Sequence, residues 1–350
     1  MAVGGIQCRP LYGARDLGAN KNWSVMNHAI RVSETGGPGV MRWEAIEVPS
    51  PGPSEILLRH TAVGLNYIDV YFRSGAYPAP QLPFTPGLEG AGVVEAVGEE
   101  VTGLTPGDRV GYAAQPLGAY SESRLMPASG VVRLPEGIDD RMAAAMMLKG
   151  MTVQYLLRST VALKAGNTIL FHAAAGGVGL IACQWAKHLG VTMIGTVGSE
   201  EKAALARAHG CTHTVLYNEE NFVDRVQELT DGNGVDAVYD SVGRDTFHQS
   251  LDCLRTRGTL VLFGQSSGKV EPFDPALLSG KGSLFLTRPT LFNYTASRED
   301  LLYCASELFD VLQSGAVKTD INQEYPLSEA QRAHEDLEGR RTTGATLLLP

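Results

Sequence analysis

The sequence predicts an α/β protein in which a doubly wound parallel sheet is joined to a β-rich unit. Three observations support this fold class. A chain of 350 residues is too long for one average core and suits two domains. Its first part consists of short strands separated by Gly and Pro. Its second part alternates strands with helices, which is typical of parallel sheets.

The β-rich unit is predicted to extend over residues 26–150. Its strands are interrupted by the turn clusters "PSPGPS" and "LTPGD". The segments interpreted as strands are "AIRV", "EILLRHTAVGLN", "GAGVVEAVG" and "DRVGY". Residues 290–350 contain a helix near "EDLLYCASELFDVLQSG" and a late strand at "ATLLLP", and we expect them to pack back on this unit.

The second unit is predicted to extend over residues 151–289. Its first strand is "TILFH", which is followed by a helix with apolar residues at helical spacing, ending at Gly190. A second strand, "VTMIGTV", precedes a helix that starts at Ser199 and stops at Gly210. The later predicted strands are "THTVLY", "VDAVYDSVG", "GTLVLFG" and "GSLFLTR", and the helices between the first pairs are "NFVDRVQELT" and "DTFHQSLDCLRT".

A glycine-rich turn joins the first strand of this unit to its helix. It has the G-x-G-x-x-G layout with Ala174 in place of the first glycine. A backbone without side chains lets a pyrophosphate approach, and the helix N-terminus offers free N–H groups and partial positive charge. The strand–turn–helix context therefore predicts a Rossmann-type dinucleotide site. The predicted contacts in the turn are Ala175, Gly176, Gly177, Val178 and Gly179.

The end of the second strand predicts which dinucleotide binds. NAD sites usually offer an acid there for the ribose 2′-OH, but this strand ends in Thr196-Val197-Gly198-Ser199. Ser199 and Lys202 suit a 2′-phosphate, and Tyr217 ends the neighbouring strand on the same side. The acids Glu200 and Glu201 are interpreted as ordinary first-turn residues of a helix. We therefore predict NADPH as the cofactor.

The charge, the apolar runs and the cysteines of the chain indicate which kinds of partner and which compartment to expect. The formal net charge is -9, and no basic stripe stands out, which argues against nucleic-acid binding. The apolar runs are too short for a membrane span. The five cysteines are scattered and form no CxxC pair, which favours a reducing cytoplasm.

Residues 1–25 differ in composition from the rest of the chain. They contain Arg9, Arg15 and Lys21 against a single acid, and they have no apolar stretch typical of a secretory signal. We interpret them as a poorly ordered extension upstream of a second start at Met26, with a transit peptide as the alternative.

Motifs for other reaction classes are missing. The sequence contains no GxxxxGK[ST], and no Tyr is followed by Lys four positions later. His172 stands at a strand end and is predicted to be packed or hydrogen-bonded. Asp240, at the end of another strand, is interpreted as a cap of a nearby helix, with general acid as the alternative.

Over residues 26–350 the chain resembles the medium-chain dehydrogenase/reductase superfamily, and within it the bacterial NADPH:quinone oxidoreductases of the zeta-crystallin-like branch. The resemblance to the superfamily rests on "GLEGAGVVEAVG", "PGDRVGY" and "AAAGGVGLIACQWAK". The resemblance to the branch rests on "GLNYIDVYFRSGAYP", "LGAYSES", "LKGMTVQYLLR", "YDSVGRDTF", "SLDCL" and "KGSLFLTRP". It implies that the β-rich unit is a GroES-like catalytic domain.

The resemblance also bears on metal chemistry. Zinc-containing members of the superfamily have a Cys where this chain has Asn66, and a His where it has Leu88. A catalytic zinc needs about three protein ligands, which cannot be assembled at these positions. We therefore predict an enzyme without metal.

The resemblance implies a cleft between the two domains. Asn66, Tyr71 and Tyr77 would line it from the β-rich side, where the tyrosines could donate hydrogen bonds to quinone oxygens as charge develops. The alternative is that both tyrosines are ordinary aromatic packing residues. The remaining predicted cofactor contacts are Ile68, Lys149, Thr152, Tyr155, Ser241, Phe263, Gly264, Ser266 and, placed by the resemblance alone, Arg340.

The predicted activity is transfer of reducing equivalents from NADPH to a quinone. A quinone already accepts hydride readily, so the protein needs only to orient the cofactor, exclude water and leave a slot for a flat ring. The alternative activity is NADPH-dependent reduction of α,β-unsaturated carbonyls. We also expect a homodimer through the apolar edge strand "GSLFLTR".

Overall fold

The computed structural model describes residues 23–78 and 81–350, and these residues form two units built on separate sheets. The predicted N-terminal extension lies almost wholly outside the described residues. The first strand begins at Ser24, which pairs with Pro49. It therefore starts two residues before the predicted boundary at Met26.

The β-rich unit holds a seven-stranded sheet and a two-stranded ribbon. The ribbon pairs β1 (Ser24–Val32) with β2 (Met41–Pro49) in antiparallel fashion. The sheet has the order β14-β15-β3-β4-β5-β7, and β6 pairs with β3. Its strands are β3 (Glu55–Gly64), β4 (Glu89–Val97), β5 (Arg109–Ala113), β6 (Ser123–Pro127), β7 (Val132–Arg133), β14 (Ile321–Pro326) and β15 (Ala345–Leu349). The last two strands come from the C-terminal segment, which therefore completes this sheet.

The second unit is a six-stranded sheet in which every described pairing is parallel, as predicted. The order is β10-β9-β8-β11-β12-β13. The strands are β8 (Thr168–Phe171), β9 (Thr192–Val197), β10 (His213–Leu216), β11 (Val235–Asp240), β12 (Leu254–Leu262) and β13 (Phe285–Thr287). The order reverses beside β8, and ligands of such sheets bind at the carboxyl edge near this reversal.

Helices cover the sheets and join the two units. They are α1 (Tyr67–Ser74), α2 (Asp140–Gln154), α3 (Gly177–His188), α4 (Glu200–Ala208), α5 (Phe222–Leu229), α6 (Phe247–Asp252), α7 (Ala276–Gly280), α8 (Leu291–Tyr294), α9 (Arg298–Gln313) and α10 (Ala330–Glu338). Helix α2 spans the predicted boundary at residue 150, and its apolar residues share one core with β8, α3 and α9. None of the described helices is long and apolar enough to cross a membrane.

Strand β12 begins earlier than the sequence pattern indicates. The pattern predicts a helix up to Thr256 and a strand from Gly258, whereas α6 ends at Asp252 and the strand begins at Leu254. The start of β12 is irregular, because its pairing with β11 shifts register and Arg257 has a φ of 58°. This irregularity hides the strand from a periodicity analysis.

Candidate active site at the junction of the two units

The glycine turn lies between β8 and α3, as predicted, and its backbone is open on one side. Gly176 is the N-cap of α3 and is exposed. A Cβ built there would meet nothing closer than the Ala173 carbonyl oxygen at 3.2 Å. A Cβ at Gly179 would lie 2.5 Å from the carbonyl oxygens of Ala173 and Ala174, so that position tolerates only glycine. The turn thus presents free N–H groups at an accessible helix N-terminus, which suits a phosphate.

Ala174 replaces the first glycine of the motif without a steric conflict. Its side chain is fully buried and faces Gly195 on β9. A Cβ at Gly195 would lie 2.5 Å from the Ala174 Cβ. The glycine that the motif lacks is therefore compensated by one on the neighbouring strand.

The predicted 2′-phosphate residues Ser199, Lys202 and Tyr217 lie just after β9, in the first turn of α4 and just after β10. The Tyr217 hydroxyl would lie 2.7 Å from a Cβ at Gly198, so the absence of a side chain makes room for this tyrosine. Tyr217 is 49% exposed and Lys202 is exposed. The Ser199 Oγ accepts a hydrogen bond from the Lys202 backbone N–H at 3.3 Å, which caps α4. Glu200 pairs with Arg207, as expected for an ordinary acid of a helix first turn.

Arg340 follows α10 and is exposed. The structure brings its segment to the glycine turn, because the Gly344 carbonyl oxygen lies 3.4 Å from a Cβ built at Gly177. No contact joins Arg340 itself to Lys202 or Tyr217, and its role stays a prediction.

Lys149 on α2 contacts both units. Its Nζ donates to the Leu65 carbonyl oxygen at 3.2 Å and to Glu89 Oε2 at 3.4 Å. Its Cδ lies 3.3 Å from a Cβ built at Gly177. The ammonium group is thus held between the β-rich unit and the glycine turn.

Glu89 completes this junction cluster, and it is absent from the predicted site residues. It is fully buried, and its Oε2 accepts from Asn66 Nδ2 at 2.7 Å. Its Oε1 accepts from the Leu148 N–H at 2.6 Å. Burial raises the pKa of Glu89, and the Lys149 charge and these hydrogen bonds oppose the shift. The sequence did offer a signal for Glu89, because it is a charged residue inside the largely apolar segment "GLEGAGVVEAVG".

A second buried network supports α1. Asp69 Oδ2 accepts from the Asn66 N–H at 2.9 Å and from the Tyr120 hydroxyl at 3.0 Å. The Tyr120 hydroxyl also lies 3.0 Å from His334 Nε2. Burial raises the pKa of Asp69 to about 7, against the opposing effect of these hydrogen bonds. None of these partners was predicted, because Asp69, Tyr120 and His334 are distant in sequence.

Tyr71 and Tyr77 lie together on the opposite side of α1. Their ring centroids are 4.9 Å apart with planes tilted by 45°, and Tyr77 also packs edge-on against Phe72. Arg288 Nη2 lies 3.5 Å from the Tyr77 hydroxyl. Burial raises the pKa of Tyr71 to about 12, and the charge of Arg288 acts in the opposite direction. Both tyrosines therefore lie beside the second unit, and the Tyr77 hydroxyl accepts a hydrogen bond there from Arg288.

Other predicted residues lie at the carboxyl edge of the parallel sheet. A Cβ at Gly264 would lie 2.5 Å from the Ser241 carbonyl oxygen, which accepts from the Ser266 N–H at 3.1 Å. Phe263 packs on Phe171 with ring centroids 5.6 Å apart. These residues form a tight double turn after β11 and β12.

Three further predicted contacts lie near the domain junction. Ile68 and Thr152 are half-buried, and Ile68 packs against the core shared by both units. Tyr155 is 3% exposed and stacks on Tyr294 with ring centroids 4.7 Å apart. Its ring is therefore a packing element, and its contact with a cofactor stays a prediction.

The two strand-end residues are structural. His172 is buried between the Thr196 hydroxyl at 3.0 Å and the Ser250 hydroxyl at 2.9 Å, which confirms that it is hydrogen-bonded. Asp240 Oδ1 accepts from the N–H groups of Val242 and Gly243, so it holds the turn before α6 and, contrary to the sequence interpretation, does not cap the first N–H groups of that helix.

The described residues contain no group of three or more His, Cys, Asp or Glu side chains that could hold a metal ion. Leu88 is fully buried, and the Asn66 amide is bound to Glu89. The absence of zinc stays a prediction.

Comparison with known proteins identifies both units. The family model described as an alcohol dehydrogenase GroES-like domain matches residues 52–136. The model described as a zinc-binding dehydrogenase matches residues 177–307. These two families together cover the core of the β-rich unit and most of the parallel sheet.

Individual relatives match over nearly the whole chain. Quinone oxidoreductase of Pseudomonas aeruginosa is 55% identical over 325 residues, covering 93% of this chain and 100% of that protein. 2-Haloacrylate reductase of a Burkholderia species is 46% identical, covering 92% of this chain and 98% of that protein. The crystal structure of Escherichia coli quinone oxidoreductase complexed with NADPH is 49% identical with a TM-score of 0.90, covering 92% of this chain and 100% of that chain. The chain therefore belongs to the quinone oxidoreductase family of the medium-chain dehydrogenase/reductase superfamily.

Proposed function

We propose that this protein is an NADPH-dependent quinone reductase that works without zinc. The observation that carries the proposal is the position of Lys149, which touches the glycine turn of one unit and Glu89 of the other. The dinucleotide-binding edge and the tyrosine pair of the β-rich unit therefore face one junction. Relatives of similar length named quinone oxidoreductase support the same activity.

The residues present fit NADPH. The side-chain-free turn at Gly176 would let the pyrophosphate approach the N–H groups at the start of α3, and Ser199, Lys202 and Tyr217 would hold the 2′-phosphate. The Ser199 hydroxyl accepts one backbone hydrogen bond but keeps its own proton to donate. When bound, the nicotinamide supplies the reducing equivalents.

The chain's own groups orient the acceptor and stabilise its developing charge. Tyr71 and Tyr77 donate hydrogen bonds to the quinone oxygens, and the pKa of about 12 keeps Tyr71 protonated at neutral pH. The Asn66 amide is fixed by Glu89, and the Lys149 ammonium is fixed by the Leu65 carbonyl. This pre-organisation means that little rearrangement is needed during the reaction.

The proposal includes assembly and compartment. Strand β13 is an edge of the parallel sheet, and Phe285 on it is 60% exposed. Pairing of two β13 strands would cover this edge in a homodimer. The buried free thiols of Cys183, Cys211, Cys253 and Cys304 suit the reducing cytoplasm.

The second candidate is reduction of an α,β-unsaturated carbonyl compound. The relative named 2-haloacrylate reductase favours it. This reaction uses the same cofactor geometry but also needs a proton donor at the α-carbon of the acceptor.

Steady-state NADPH oxidation over a panel of acceptors tests both activities. We expect turnover with 1,4-benzoquinone and 1,4-naphthoquinone, and much lower turnover with NADH. Turnover confined to 2-chloroacrylate and enals would select the second candidate. No oxidation with any acceptor would overturn the proposed function.

A further inference from the structure

Arg288 is a charged residue at the junction that the proposed function does not use. It follows β13 directly and thus stands at the carboxyl edge of the parallel sheet. Its Nη1 donates to the Leu262 carbonyl oxygen, at the end of β12, at 3.1 Å. This bond anchors the guanidinium, while Arg288 as a whole residue is exposed.

The free side of the guanidinium faces the tyrosine pair. Arg288 Nη2 lies 3.5 Å from the Tyr77 hydroxyl, across the junction of the two units. Its charge also acts on Tyr71, where it opposes the rise in pKa caused by burial. Arg288 therefore lies beside the pair of rings that Tyr71 and Tyr77 form.

No carboxylate within the described residues lies within 4.0 Å of the Arg288 guanidinium, so no salt bridge neutralises its charge. Asp245 and Asp236, for example, pair with Arg244 and Arg255. An unneutralised guanidinium presents a planar fork that matches a carboxylate or sulfonate.

The cofactor phosphates are poorly placed to be its partner. In the sheet, β13 is separated from β8 by β11 and β12. With neighbouring strands about 4.8 Å apart, the end of β13 lies roughly 14 Å from the end of β8, where the glycine turn begins. This separation assigns the free charge to the acceptor side of the junction.

We propose that Arg288 is a specificity-determining residue that binds an anionic substituent, a carboxylate or sulfonate, on the ring of the quinone acceptor. This proposal rests on the proposed quinone reductase function. In this arrangement Tyr71 and Tyr77 bind the ring, and Arg288 binds the charge at its margin. Quinones that carry such an anionic substituent are then better acceptors than neutral quinones of the same size.

The test compares 1,4-naphthoquinone-2-sulfonate with neutral 1,4-naphthoquinone for the wild-type protein and for Arg288→Gln. We expect the variant to lose roughly 10- to 100-fold in kcat/KM for the sulfonate, as for one charged hydrogen bond. The kcat/KM for the neutral quinone should change by less than about threefold, since this acceptor has no charged group for Arg288 to bind. Arg288→Lys should recover part of the loss, because it keeps the charge but not the fork.

A matched control is Arg42→Gln, which removes the same charge from an exposed position on β2. This variant should leave the ratio of the kcat/KM values for the two acceptors unchanged. The Kd of NADPH should be the same in all variants, which separates acceptor binding from cofactor binding. Equal losses for both acceptors in Arg288→Gln would overturn the proposal.

A binding measurement separates this proposal from the proposed function. Titration calorimetry of the sulfonate into NADP⁺-saturated protein requires no turnover. Weaker binding to Arg288→Gln than to the wild type supports the proposal, and equal binding or no binding to either protein overturns it. Failure of every quinone to be reduced overturns the quinone reductase function instead.

Discussion

Single residues at the junction act through contacts that are distant in sequence. Asn66 is the N-cap of α1, and its side-chain amide also donates a hydrogen bond to Glu89 at 2.7 Å. Glu89 in turn binds Lys149, which reaches the glycine turn. Removing one partner of a buried charge pair leaves the other uncompensated, so these three residues form one unit.

Lys202 is predicted to discriminate between the two nicotinamide cofactors. Lys202→Ala removes an exposed cation from the first turn of α4, and a charged hydrogen bond contributes about 1.5–3 kcal/mol. We expect the Kd of NADPH to rise roughly 10- to 100-fold and that of NADH to change little. Fluorescence titration with both cofactors measures this.

The control for Lys202 is Lys164→Ala. Lys164 is an exposed lysine before β8, where the strands have their amino ends, whereas the proposed cofactor site lies at their carboxyl ends. It should alter neither dissociation constant. Equal small changes for both cofactors in Lys202→Ala would reject the phosphate role. A wild-type preference for NADH would reject the cofactor assignment itself.

Tyr71 is predicted to donate a hydrogen bond to the acceptor. Tyr71→Phe keeps the ring and removes the donor, so kcat for a quinone should fall roughly 10- to 100-fold. Because burial raises the pKa of Tyr71 to about 12, the hydroxyl stays protonated, and the loss should be the same at every pH from about 6 to 10. Tyr303→Phe, on the exposed side of α9, is the control. An unchanged kcat in Tyr71→Phe would show that the hydroxyl of Tyr71 does not act on the acceptor and that the residue only packs through its ring.

At the scale of elements, helix α1 shows how tertiary contacts override local preference. Its sequence, YIDVYFRS, is rich in aromatic and β-branched residues, which have a low intrinsic preference for helix. A capping box between Asn66 and Asp69 starts the helix, and Gly75 with a φ of 83° ends it. Arg73, fully buried, joins it to α10 through Glu338 at 2.8 Å.

Asp69 makes the stability of this element dependent on pH. Its folded pKa of about 7 exceeds the ordinary aspartate pKa of 3.8, so between these values the folded protein holds a proton that the unfolded chain has lost. Stability relative to Asp69→Asn should therefore be greatest below about pH 4 and fall as the pH rises to 7. A difference of about three pKa units corresponds to at most about 4 kcal/mol.

Urea unfolding of Asp69→Asn and the wild type at pH 4, 5.5 and 8 measures this effect. The variant should gain relative stability as the pH rises. Asp310→Asn, an exposed position on α9, should show no such trend. A difference between wild type and Asp69→Asn that does not vary with pH would contradict the assignment.

At the scale of the whole molecule, β13 is one of the two edge strands of the parallel sheet. The strand has three residues, pairs with β12 alone among the described strands, and carries the exposed Phe285. Phe285→Lys places a charge on this edge, and we expect it to convert a dimer into a monomer in multi-angle light scattering. Met26→Lys, which is 68% exposed on β1, should not alter the mass. A monomeric wild-type protein across working concentrations would refute the dimer.

The sequence by itself determined the class of fold and the dinucleotide edge. Alternating strands and helices, and the glycine turn at Gly176–Gly179, are local patterns, because hydrophobic period and backbone freedom depend on neighbouring residues. Only the tertiary structure decided that Glu89 meets Asn66 and Lys149, that Gly195 makes room for Ala174, and that Arg288 faces Tyr77. These partners come from different strands and helices, and no local period records which distant side chains will meet. Burial then sets their charge states, since the pKa of Glu89 and Asp69 depends on the desolvation that packing imposes.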